Sequence, residues 1–264
     1  MSSQSQKMER IIVIDGKLKT SMNKFLKKTI FMCMLMLTSI ITYSTLHADS
    51  DLDMKQGIEA AQKGEYATAI KLWQPLAEKG YAEARFNLGL MHYKGQGVAQ
   101  DYKTAVNWFT LAAEQGDAIS QFNLGVMFED GKGVAQDYKT AVKWYTLAAE
   151  QGQAEAQYNL GLMHYNGQGT GQNYKIGVKW FTLAAEQGSA KAQFNLGLMY
   201  AKGHGVAQDY IKSHMWLNIA SVEGDSDFIK SRDLVAKIMT TNQIAQAQEN
   251  AKRCIEKKYK NCNF

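Results

Sequence analysis

The sequence predicts an all-α fold, a linear stack of helix pairs. Three observations lead there: a 36-residue pattern repeating in register, apolar residues at helical spacing within each repeat, and one proline, Pro75, against 22 glycines. A chain so poor in proline carries long helices, and its turns fall to glycine. Two short amphipathic helices do not bury their apolar faces alone. Each pair therefore packs on the next, and the array is an α-solenoid.

From the N-terminus, Lys17, Lys19, Lys24, Lys27 and Lys28 precede an apolar run from Ile30 to Ile41, and Ala48 closes the segment. That order reads as a signal peptide over residues 1–48, with cleavage before Asp49 and a start at Met1 or at Met22. The alternative is an uncleaved anchor, but the run is nearer to a signal core than to the ~20 residues a membrane span needs. Met32 is too bulky to precede a lipoprotein cysteine at Cys33. The leader also holds the charge. It carries seven Lys/Arg and two Asp/Glu, which leaves 23 of each in residues 49–264. The body therefore has no electrostatic case for nucleic acid. The expected location is the periplasm or outside a bacterial cell, with no membrane span after cleavage.

Residues 49–81 read as a diverged first repeat containing Gly64, Trp73 and Gly80. Four full repeats follow at 82–117, 118–153, 154–189 and 190–225, the first two identical at 25 of 36 positions. In each, a first helix rich in Ala, Leu and Met runs from about Ala82 to Tyr93, and Lys94–Gly97 breaks it. Asp101, Asp137, Asn173 and Asp209 are placed to cap the second helix. That helix carries Ala105, Val106, Trp108, Phe109, Ala112 and Ala113 on one apolar face. Gly116, Gly152, Gly188 and Gly224 end it. Gly89, Gly125, Gly161 and Gly197 let helices approach closely. Trp108, Trp144, Trp180 and Trp216 are expected to run as a core row through the stack.

These residues carry a resemblance. The pattern A-x-x-x-N-L-G-x-M, then G-x-G-V-x-x-D-Y-x-x-A-x-x-W and A-A-x-Q-G, resembles the Sel1-like repeat, a relative of the tetratricopeptide repeat, over residues 52–225. The last unit departs from it at Ser213 and at Met215–Ser221, as terminal repeats of many bacterial members do. The resemblance implies an α-solenoid that scaffolds protein complexes in signalling, envelope or host-contact roles.

Residues 226–264 read as a helical C-terminal cap with eight basic and four acidic residues. Thr240 and Gln243 match a capping box, followed by an amphipathic run through Ile244, Ala247, Ala251 and Ile255. Cys254 and Cys262 are either bridged or free.

Catalytic and metal patterns are missing from the sequence. Some cysteine-rich relatives are described as β-lactamases, but here S-x-x-K occurs only at Ser21–Lys24, in the leader. S-D-N and K-T-G do not occur, and the repeats carry no cysteine. His92 and His164 share a repeat position two units apart, too far for one ion when helices stack ~8–10 Å apart. His204 and His214 are isolated. No cofactor, metal or catalytic residue is assigned.

The remaining reading is a non-catalytic adaptor, a monomer that binds a protein or peptide. A β-lactamase-like envelope hydrolase and a purely structural envelope protein are the alternatives. Columns that vary between near-identical units are free of packing duty, and the first-helix face carries several. The candidate partner-binding residues are Phe86, Leu90 and Tyr93; Phe122, Val126 and Glu129; Tyr158, Leu162 and Tyr165; and Phe194 and Leu198. The aromatics would anchor a partner, or would instead fill gaps between repeats.

Overall fold

The computed structural model describes residues 28, 29, 32, 50–262 and 264. The signal-peptide reading falls almost wholly outside the described residues. The chain divides into two compact units, Met1–Glu59 and Ala60–Phe264. In the first, residues 50–59 are helical, part of a helix α1 over 50–62. The second unit is a run of helices with no strand among the described residues: α2 (Tyr66–Glu78), α3 (Ala82–Lys94), α4 (Tyr102–Ala113), α5 (Ala118–Asp130), α6 (Tyr138–Glu150), α7 (Ala154–Asn166), α8 (Tyr174–Ala185), α9 (Ala190–Lys202), α10 (Tyr210–Ala220), α11 (Ser226–Ala236) and α12 (Thr241–Glu256). From α2 to α10 each helix packs on its successor, and α10 also packs on α11 and α12.

Local chemistry sets the helix ends. Asp101 accepts from the amides of Lys103 and Thr104 at 3.0 and 3.2 Å, and Asp137, Asn173 and Asp209 accept equivalent bonds. These bonds satisfy amides that have no partner inside the helix. Asp117, Gln153 and Ser189 cap α5, α7 and α9 in the same way.

The innermost ring of each unit is not the tryptophan. Phe109, Tyr145 and Phe181 are wholly buried, whereas Trp108, Trp144 and Trp180 are only half-buried and Trp216 alone of that column is buried. Two neighbouring helix positions point about 100° apart. Position 109 aims between the two helices of its own unit. Trp144 and Trp180 pack at the edge of the core shared by the preceding repeat's second helix and their own repeat's first helix. Trp73 is buried, and the 36-residue period places it in the Phe109 column. The expected tryptophan core row is corrected accordingly.

That geometry explains the helix glycines. A Cβ on Gly125 would stand 2.5 Å from the Tyr145 ring, and one on Gly161 would stand 2.7 Å from the Phe181 ring. No larger residue leaves room for the ring. Gly133, at φ +72°, crosses against the Tyr102 backbone, so the loop of one unit seats on the second helix of the unit before.

A buried glutamine ladder joins the units. Gln121, Gln157 and Gln193 donate to the carbonyls of Ala113, Ala149 and Ala185 at 3.1–3.2 Å, across each joint. Gln151 and Gln187 donate back to Gln121 and Gln157 at 2.7 and 2.8 Å. The buried side-chain amides thus pair with one another and with helix-end carbonyls, which each also accept a backbone amide.

α11 begins 36 residues after α9, with Asp225 as its cap, so the C-terminal segment continues the period as a diverged helix pair. Thr240 and Gln243 form a capping box at the start of α12. Cys254 and Cys262 are bridged, with Cα atoms 5.2 Å apart. The loop they close brings Tyr259 against Gly188 and lets the Asn261 amide donate to Glu186 at 3.3 Å.

Candidate functional site

The first helices α3, α5, α7 and α9 place the candidate residues in register. All eleven are half-buried, neither withdrawn into the core nor fully in solvent. Within each unit the leading aromatic meets the innermost ring of the second helix. Phe86–Phe109, Phe122–Tyr145 and Tyr158–Phe181 all have centroids 5.9 Å apart. Burial raises the Tyr158 hydroxyl above the usual tyrosine range, against a hydrogen bond with Asn195. Phe194 differs: Phe228 of α11 stacks on it at 4.4 Å and 19°.

The variable columns have partners within the chain. Glu129 accepts a 2.6 Å hydrogen bond from the Tyr145 hydroxyl. Burial first, and Glu129 second, push that hydroxyl far above its ordinary value. In the flanking units position 145 is Phe109 or Phe181, with no hydroxyl, and position 129 is Tyr93 or Tyr165. Tyr93 packs on Tyr102 at 5.3 Å, and Tyr165 packs on Tyr174 at 5.2 Å with His204 at 6.1 Å. Variation at this column therefore follows an internal fit. Freedom from packing duty does not describe Tyr93, Glu129 or Tyr165.

The face keeps one apolar residue in solvent. Ile119 on α5 is 50% exposed. Its repeat equivalents are Glu83, Glu155 and Lys191, all exposed charges. It lies three residues before Phe122 and seven before Val126, on one side of the helix. Ile119 lies outside the candidate binding residues that the sequence singles out, although its column changes from unit to unit. The signal available was an aliphatic in a column otherwise charged.

Four histidines, His92, His164, His204 and His214, have a buried Nδ1 without a hydrogen-bond partner. Burial holds His164 below the usual histidine range. His204 stacks on Tyr174 at 4.5 Å and 16°. Among the described residues no group of three or more His, Cys, Asp or Glu is placed to hold a metal ion, and no helix is long and apolar enough to cross a membrane.

The comparisons agree with this architecture. No curated protein matches the chain. Among solved structures, it is similar to a protective antigen of uropathogenic Escherichia coli strains displaying an SLR fold. The two are 32% identical with a TM-score of 0.72, over 81% of this chain and 47% of that one. The chain thus spans about half of the antigen's length. It is also similar to a Sel1 repeat protein from Oxalobacter formigenes, 30% identical with a TM-score of 0.64, over 74% of this chain and 84% of that one. The Sel1 repeat matches residues 82–117, 118–153, 154–189 and 190–225. With four consecutive matching units and the solenoid they build, the chain belongs to the Sel1-repeat family.

Proposed function

We propose that the protein is an exported, non-catalytic scaffold whose first-helix face holds a protein or peptide partner. The observation that carries the reading is Ile119, half exposed in a column otherwise charged. The half-buried Phe86, Leu90, Phe122, Val126, Tyr158 and Leu162 extend an apolar strip along the same helices. Interfaces draw their energy from a few such anchors inside a polar rim. Tyr93, Glu129 and Tyr165 border this strip and shape it through their internal contacts. Phe194 and Leu198 lie at its end, where α11 covers Phe194. Two features support export: the basic–apolar–small order of residues 17–48, and the Cys254–Cys262 bridge, which suits an oxidising compartment. The Escherichia coli relative's description as a protective antigen favours the same location.

The test is Ile119→Lys, a residue the same column already carries at Lys191. The variant is expected to melt with the parent and to lose about thirtyfold or more in affinity for a partner isolated with the native protein, the effect of an anchor worth about 2 kcal/mol. Unchanged affinity would remove the first-helix face from the reading.

A further inference from the structure

We propose that α11 is a pH-sensitive latch: protonation of His214 releases this helix from α10 and uncovers Phe194 at the end of the first-helix face. The inference stands whether or not a partner binds that face.

The fourth repeat departs from its fellows where it meets the cap. The others carry Ala105–Val106, Ala141–Val142 and Gly177–Val178; the fourth carries Ser213–His214. Both are buried, at 0% and 3% exposure, and neither Ser213 Oγ nor His214 Nδ1 has a hydrogen-bond partner. Two apolar residues have thus been exchanged for polar ones, one of them titratable, in a buried joint.

The charged groups acting on His214 are Arg232, which opposes its protonation, and Asp233, which favours it, both on α11. α9, α12 and the 221–223 turn also pack on α10, and no further charge from them acts on this ring among the described residues. Asp233 is already held by Arg232 at 2.8 Å. An imidazolium formed here would be buried, without an acceptor at Nδ1 and beside a guanidinium. A buried charge without a partner is strongly disfavoured. Moving α11 away lets water reach the ring.

α11 is also lightly seated. Val235 is its single buried residue, while Leu234 is 62% exposed. Phe228, half-buried, stacks on Phe194 at 4.4 Å. Gly224, at φ +83° with open space where a side chain would be, precedes the helix as Gly116 and Gly152 do in other units. α12 is held separately by Ala247, Ala251 and the Cys254–Cys262 bridge. A segment with so little buried surface opens before the rest of the array. Burial holds His214 below the usual histidine range. The closed state therefore prefers neutral imidazole. Opening is favoured as pH falls below the ordinary histidine value of 6.5, by up to about tenfold per pH unit until the closed-state ring also titrates.

Hydrogen–deuterium exchange of the full chain at pH 7.5 and 5.5, corrected for intrinsic rates, tests the latch. In the wild type, peptides covering 226–236 are expected to lose several-fold more protection at the lower pH than those of α5–α8. His214→Val, the residue of the equivalent columns, and His214→Gln, neutral at both pH values, are each expected to abolish the pH dependence. The latch is refuted by an unchanged α11 in the wild type, by equal loss in either variant, or by all helices losing protection together.

Discussion

Tyr145 donates to Glu129 at 2.6 Å, and the two positions change together along the array. Where the second helix offers Phe109 or Phe181, the first helix answers with Tyr93 or Tyr165, whose ring packs on Tyr102 or Tyr174. The side chain of this first-helix column thus turns to a hydroxyl in one unit and to the ring of Tyr102 or Tyr174 in the others. Tyr145→Phe alone is expected to cost about 1 kcal/mol, because it removes a charge-accepting hydrogen bond at a half-buried carboxylate. Adding Glu129→Tyr recreates the neighbouring pair and is expected to recover most of that loss. Urea unfolding of the two single variants and the double variant measures the coupling; additive effects would mean the two positions do not sense each other. The sequence shows both columns, and it shows the recurring tryptophans. It does not show which of two adjacent aromatics points inward. Trp108 and Phe109 fit the same apolar pattern, and only the glycine opposite, Gly89, selects the ring that goes in.

At the scale of the element, boundaries were legible because they rest on local bonds. Asp101, Asp137, Asn173 and Asp209 cap the second helices, and Thr240 with Gln243 caps α12. The glutamine ladder was not read, although Gln121, Gln157 and Gln193 recur at one position. A polar residue on a helix is ordinarily a surface residue, and its burial depends on carbonyls of the previous unit. Titration of these elements gives stability a definite pH course. The Thr104 and Thr140 side chains, by hydrogen bonding, hold the Asp101 and Asp137 carboxyls below the usual carboxylate value of 3.8. Their support is present above that value and is lost as pH falls below it. Burial holds His164 and His214 below 6.5, so the fold favours their neutral forms. Their support is complete above 6.5 and drains away as pH falls through it, because the unfolded chain then binds more protons. Thermal melts are therefore expected to drop in two steps on acidification, one below 6.5 and one below 3.8. His164→Phe, matching Phe128 in the same column, is expected to shrink the first step. A melting temperature constant between pH 7 and 5 contradicts the burial of these rings.

For the whole molecule, the period fixes the architecture, since every unit must bury a face it cannot bury alone. The same logic left the cap only partly legible. Its helices were expected, but not that α11 enters one 36-residue period after α9 or that Phe228 covers Phe194. Along α3, α5 and α7 no such cover exists among the described residues, and Ile119 stands in solvent beside Phe122. The direct measurement is site-specific photo-cross-linking in intact cells that make the protein, with the reactive residue at position 119 or 122 on α5 and at position 147 on the opposite helix, α6. Leu147 is 44% exposed and serves as the matched control. One discrete adduct from positions 119 and 122, with none from 147, is the expected result. Equal labelling from all three positions, or adducts from 147 alone, would contradict binding by the first-helix face.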